Sequence, residues 1–101
     1  MSVYVDPTIW EFGRMKMCNM IADTSLELVQ MADRIGVKRR WIQKAGTPEE
    51  HFDMCRSKRR LVVLYGAVEI ESVELVVRIN KKRAERVLND GLARVERELL
   101  K

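Results

Sequence analysis

Cysteine is scarce in this chain. Cys18 and Cys55 are the only two in 101 residues, with neither CxxC spacing nor a disulfide-rich pattern. A stapled scaffold is therefore excluded, and the plain reading is two reduced thiols packed as small hydrophobes. Histidine occurs once, so the common zinc ligand sets do not form at any recognised spacing. No apolar run approaches the ~20 residues needed to span a bilayer, and no membrane partner is expected. The Met1–Asp6 start has neither a basic n-region nor an apolar h-region, so no secretory leader is expected and the cytosol is the expected compartment. A Walker loop, GxGxxG, GxSxG and HExxH are all missing, which excludes recognisable forms of the common nucleotide and hydrolase sites. There is no internal repeat and no low-complexity linker.

What is present suits one soluble domain. Hydrophobic residues make up 47% and charged residues 34%, enough for a modest core and too apolar for a disordered chain. The net charge of +4 favours anionic partners, moderately.

Patterning predicts the order β-β-α-β-α-β-α-α. Ser2–Asp6 reads as a strand ended by Asp6-Pro7. A loop with Trp10, Phe12, Gly13 and Arg14 follows, and Met15–Ala22 reads as a central strand buried on both faces. Thr24-Ser25-Leu26-Glu27 is a capping box. Leu28, Met31, Ala32 and Ile35 continue it at helical spacing, and Gly36 closes it, so residues 24–35 should be helical. Lys38–Gln43 reads as a third strand holding Trp41 and Ile42. Thr47-Pro48-Glu49-Glu50 repeats the capping pattern, so a helix should begin there, or near Asp53, and end at Gly66. Leu61–Tyr65 alone is also compatible with a strand. Ala67–Ile70 reads as a short strand.

From Ser72 the chain turns helical, with Val73, Val76, Val77, Ala84, Val87 and Leu88 marking one face and Lys81, Lys82, Arg83 and Arg86 mostly the other. Asn89-Asp90-Gly91 should break this helix before a last amphipathic segment striped by Leu92, Val95 and Leu99. Strands joined through helices should run parallel. The expected fold is an α/β domain with a small mixed, mainly parallel four-stranded sheet. Residues 1–70 would form the core, and 71–101 a helical extension packed on it.

In such a sheet, ligands gather at the carboxyl ends of parallel strands, beside helix N-termini that suit a phosphate or carboxylate. This topology would bring Asp23, Gln43, Lys44, His51 and Asp53 together. His51 is a candidate acid/base, donor or metal ligand, and equally a helix-start histidine with one local hydrogen bond. Asp53 either orients it or favours the helix start. Lys58 and Arg59 are candidate phosphate holders. For Arg56 and Arg60 a solvated face is the better reading. Arg14 is a candidate cap over a ligand, with a salt bridge as its alternative. Trp41 is a candidate base-stacking residue, with rim packing as its alternative. Asp6 and Asp23 follow strands, where nuclease carboxylates sit, but are also explained as a turn former and a helix-start residue. With Asp53 they make an oxygen-rich Mg²⁺ set that has no diagnostic motif.

Several ordered motifs resemble one family. These are V-Y-V-D at 3–6, F-G-R-M at 12–15, M-C-N-M-I-A-D at 17–23, M-A-D-R-I-G-V at 31–37, R-R-W-I-Q at 39–43, H-F-D at 51–53, S-K-R at 57–59 and G-A-V-E-I at 66–70. The chain resembles DUF4031, a small bacterial and phage domain family of unknown function. The resemblance implies a shared fold and a shared pocket built from the polar motif residues, and it supplies no activity. Members usually carry His where this chain has Asn19, and H-Y-D where it has Phe52. A chemistry or metal site that depends on a His pair would therefore be broken here. The family's distribution points to bacterial host cytosol and to a phage role such as altering host nucleic-acid metabolism.

The leading expectation is thus a small binding protein for a nucleotide or other phosphate-bearing ligand, needing no cofactor. It would use Arg14, Asn19, Trp41, Gln43, His51, Asp53, Lys58 and Arg59. Two alternatives stand beside it. One is a phosphodiesterase or nuclease with His51 and Asp53 catalytic and Mg²⁺ on Asp6, Asp23 or Asp53. The other is an interaction module whose C-terminal helices pair with a second copy or a host protein. Nucleic acid is a further candidate partner of the basic faces.

Overall fold

A computed structural model describes residues 2–7, 10–13 and 15–100, with the side chains of Trp10 and Phe12 outside that description. The expected loop position of Arg14 lies outside the described residues. The elements are β1 (Val3–Val5), β2 (Trp10–Phe12), β3 (Met15–Ala22), α1 (Ser25–Ile35), a 3-10 turn at Arg39–Trp41, β4 (Phe52–Cys55), α2 (Arg56–Leu64), β5 (Val68–Glu69) and α3 (Ser72–Leu99).

β3 organises the sheet. Met20 pairs with Val5 of β1 and with Phe52 of β4, while Met17 pairs with Trp10 of β2 and Cys55 of β4. β4 therefore holds one edge of β3, and β1 and β2 share the other. β5 joins the far side of β1, so the sheet reads β4-β3-β1-β5 across. The α/β class and the mixed sheet four strands wide match expectation, but its mainly parallel character does not. Only β1 and β5 are parallel; the pairs β1–β3, β2–β3 and β3–β4 are antiparallel.

The cause lies in residues 38–55. Lys38–Gln43 is not a strand: Ile42 N–H bonds back to the Arg39 carbonyl at 3.1 Å, a tight helical turn. Thr47-Pro48-Glu49-Glu50 caps no helix. The Thr47 hydroxyl donates to the Lys44 carbonyl at 2.7 Å and accepts from Glu49 N–H at 3.2 Å, which closes a turn. Phe52–Cys55 then alternates buried and exposed as a strand, and the helix waits until Arg56. Without a strand-helix-strand crossover through these residues, nothing forces β4 parallel to β3. Leu61–Leu64 is helical.

α1 is as the sequence dictates. Thr24 Oγ accepts from Glu27 N–H and donates to Glu27 Oε1, and Gly36 closes the helix in the left-handed region at φ 78°. α1 and α2 cover one face of the sheet over Val3, Val5, Cys18, Met20, Phe52 and Met54. The other face carries Tyr4 and Ile21, which pack with Ile70, Leu75 and Ile79 where α3 begins.

The expected break at Asn89-Asp90-Gly91 is absent, and α3 runs unbroken for 28 residues. No Pro interrupts it, and Gly91 lowers helix stability by only about 1 kcal/mol. Every residue from Arg83 to Leu100 is exposed. Among the described residues no helix is long and apolar enough to cross a membrane.

Candidate functional site

The face of the sheet beneath α3 holds two polar rows. Asn19 pairs with Asp53 across the β3–β4 ladder, and cross-strand partners share a face. On the other side of Asn19 lies Asp6, whose N–H bonds to the Asn19 carbonyl at 3.2 Å. The first row is therefore Asp6, Asn19, Asp53. His51 is the next same-face residue along the β4 chain, and it pairs with Gln43 through two backbone bonds of 2.8 and 3.1 Å. Asn19, Gln43, His51 and Asp53, scattered in sequence, thus meet on one face. Antiparallel pairing brings them there rather than the ends of parallel strands.

Asp6 is 1% exposed. Its Oδ1 accepts from Asn19 N–H at 2.7 Å and its Oδ2 from Asn19 Nδ2 at 3.0 Å. The Asp6 main-chain carbonyl, which would otherwise accept from Asn19 N–H in the ladder, is turned to Arg59 Nε, and the Asp6 carboxylate accepts in its place. Asp6 is a latch more than a turn former. Asp23 sits elsewhere, beyond the end of β3, accepting from Ser2 N–H at 2.7 Å and the Tyr4 hydroxyl at 3.1 Å. Burial and, next, that bond to Asp23 push the Tyr4 phenol above its ordinary pKa. The Asp6, Asp23, Asp53 set does not assemble, and among the described residues no three His, Cys, Asp or Glu side chains form a metal-holding group.

His51 Nδ1 lies 2.7 Å from the Glu49 carbonyl and Nε2 lies 3.3 Å from Asp53 Oδ1. A carbonyl only accepts, so Nδ1 carries a proton. Nε2 faces the Asp53 carboxylate without a hydrogen bond to it.

Lys58 and Arg59 are not with this group. Lys58 Nζ donates to the Ile35 carbonyl at 2.6 Å and so caps the C-terminal end of α1, where a cation offsets the helix dipole. Arg59 Nε donates to the Asp6 carbonyl at 2.9 Å, and its Nη1 pairs with Glu69 at 2.8 Å. Trp41 is 58% exposed on the 3-10 turn, with Arg40 over its ring at 5.3 Å, and does not border the cleft described next.

Between this face and α3 lies a cleft of about 250 Å³. Ile21, Leu75, Val76 and Ile79 make it apolar, while Asn19, His51, Glu49, Asn80 and Arg83 supply its polar groups. Arg83 reaches it from α3, ion-paired to Glu49 and donating to Asn80 Oδ1 at 3.1 Å. Glu49 also pairs with Lys44 at 2.5 Å. The sequence assigned Arg83 only to a basic helical face and offered neither Asn80 nor Glu49 as a site residue. The available signal was spacing: positions 75, 76, 79, 80 and 83 fall on one helical face. A shallower hollow of about 370 Å³ at the far end of the sheet gathers Met15, Lys16, Cys55, Arg56 and Ser57, and none of the candidate residues.

A family model described as a protein of unknown function, DUF4031, matches residues 3–83. The chain belongs to the DUF4031 family. The matched region ends at Arg83, the last residue bordering the cleft. Both polar rows, the cleft and the packed half of α3 therefore lie inside the DUF4031 domain, which reaches past the motif-bearing residues 1–70. No curated protein and no solved structure matches this chain.

Proposed function

We propose that this DUF4031 protein binds a small phosphate-bearing molecule of mononucleotide size in the cleft between the sheet and α3. The observation that carries the reading is the pairing of an apolar floor with the polar side chains of Arg83, Asn80, Asn19 and His51 in one cleft. Few polar groups on an apolar surface are the usual make-up of a small-molecule site. A ring would lie on Ile21, Leu75 and Ile79. The phosphate would take the Arg83 guanidinium, whose planar fork suits it. Glu49 would keep Lys44 when Arg83 turns to the ligand, so no carboxylate is left unpaired. At about 250 Å³ the cleft is smaller than drug-sized pockets of roughly 300–1,000 Å³, so the class is one mononucleotide rather than a dinucleotide.

Binding is favoured over the phosphodiesterase or nuclease reading because the acidic residues proposed for Mg²⁺ are dispersed: Asp23 stands beyond the end of β3 with Ser2 and Tyr4, apart from Asp6 and Asp53.

Isothermal titration with 5′-mononucleotides, at low and high salt, tests the proposal. One base class should bind with modest salt dependence and raise the melting temperature, since a ligand at a hundredfold excess over Kd adds about 2.7 kcal/mol. Arg83→Ala should weaken it at least tenfold, while Lys58→Met should leave Kd unchanged. Absence of binding by every mononucleotide, or equal affinity in Arg83→Ala, would sink the reading. Binding only to polynucleotides, fading with salt, would move the function to the basic surface.

A further inference from the structure

Between Arg34 and Pro48 the chain holds five cations, Arg34, Lys38, Arg39, Arg40 and Lys44, and no acid. Glu49 neutralises Lys44, and Asp33 takes Arg39 at 2.6 Å. Among the described residues, Arg34, Lys38 and Arg40 have no carboxylate partner. Two of them lie against rings instead. Arg40 stands 5.3 Å from the centre of the Trp41 ring, and Arg34 stands 4.4 Å from that of Tyr65. Trp41 and Tyr65 remain 58% and 41% exposed. Such exposure is unusual for Trp, which is highly buried on average.

The turn that presents Trp41 is anchored on both sides. Arg39 bonds to Asp33 in the last turn of α1, and Ile42 packs against the core. Arg34, from the same turn of α1, covers Tyr65 at the end of α2. Lys58 caps that turn and offsets the negative end of its dipole. The rings and cations therefore gather round the C-terminal end of α1, which covers the face of the sheet opposite α3.

We infer that this surface binds single-stranded nucleic acid, with Trp41 stacking on an unpaired base and Arg34, Lys38 and Arg40 meeting the flanking phosphates. Cations without carboxylate partners favour a polyanion. The exposed rings narrow the class. A base offers a flat face to an indole ring, and in a duplex that face is already covered by its neighbours. An acidic peptide would meet the cations and leave the rings without a partner. Arg40 continues the stacking surface of Trp41, because a guanidinium plane also stacks on bases.

Fluorescence anisotropy of the full chain with a labelled oligothymidylate of about twelve nucleotides tests the inference. Affinity should fall with salt at a log–log slope of about −2, at about 0.7 for each of Arg34, Lys38 and Arg40. A duplex of the same length, and polyglutamate, should each bind at least about tenfold more weakly. Trp41→Ala, at an exposed position, should keep the far-ultraviolet spectrum and weaken binding about fivefold or more, the loss of one stacked base. Trp41→Phe should recover most of that loss. Lys38→Gln with Arg40→Gln should make the salt slope shallower by about 1.4. Absence of binding at low salt overturns the inference. So does equal affinity in Trp41→Ala, and so does a duplex or polyglutamate bound as tightly as the single strand. Anionic phosphatidylserine vesicles that bind more tightly than the strand would overturn it in favour of a membrane contact.

Discussion

Asp6 gains its importance as an acceptor. Its main-chain carbonyl is turned to Arg59, and the buried carboxylate completes the ladder to β3 by taking two bonds from Asn19. Asp6→Ala leaves Asn19 N–H and Nδ2 without their acceptor inside the fold, at about 1–3 kcal/mol for each unsatisfied donor. Urea unfolding should therefore show a loss of at least about 2 kcal/mol, and a smaller loss would mean that water replaces the carboxylate.

Cys55 shows a different local effect. Its thiol stands at the N-terminus of α2, 3.2 Å from the Ser57 hydroxyl. That hydrogen bond, and then the Lys58 backbone N–H, hold its pKa below the ordinary thiol value. The thiolate is the reactive form, so the alkylation rate of Cys55 should rise with pH to a midpoint below that of an ordinary thiol. Ser57→Ala should move the midpoint upward; an unmoved midpoint would remove Ser57 as the cause. Cys18, 0% exposed, should stay unmodified while the protein is folded.

Elements reveal how much could be read from the chain. The first capping box, Thr24 to Glu27, came with an apolar 3.6-residue stripe behind it, and local and tertiary signals agreed on α1. The second, Thr47 to Glu50, had no such stripe: Phe52 and Met54 alternate with Asp53, which is strand periodicity. Local capping chemistry lost to burial there, and the loss reversed the direction of β4. His51, Asp53, Asn19 and Gln43 were legible as polar residues in apolar frames. The Arg83 side of the cleft was not, because a basic helical face looks the same in sequence whether it meets water or an acidic loop.

Lys58 illustrates the same ambiguity. Its ammonium holds the last turn of α1, so Lys58→Met should lower stability by about 1–3 kcal/mol through the orphaned Ile35 carbonyl. Calorimetric unfolding that matches the unchanged protein would show that the cap contributes nothing. The same variant leaves the ligand cleft untouched, which separates a stabilising cation from a ligand-holding one.

At the scale of the whole molecule, principal extents of 57 × 26 × 25 Å describe a body with a projecting rod. The DUF4031 region ends where that rod leaves the body. The body holds the polar rows and the cleft, and the rod holds the outward apolar stripe.

The position of β1 has a kinetic consequence. This early strand lies between β3 and β5, and its parallel partner Val68 is 64 residues away from Tyr4. One edge of β1 is completed by a nearby hairpin-like pairing, but the other must wait for a long loop to close. Such non-local closure is entropically costly before it is rewarded. Until Val68 and Glu69 arrive, the open edge of β1 is a template for strands of other chains. Docking of these two residues should then come late in folding, and shielding the β1 edge depends on it.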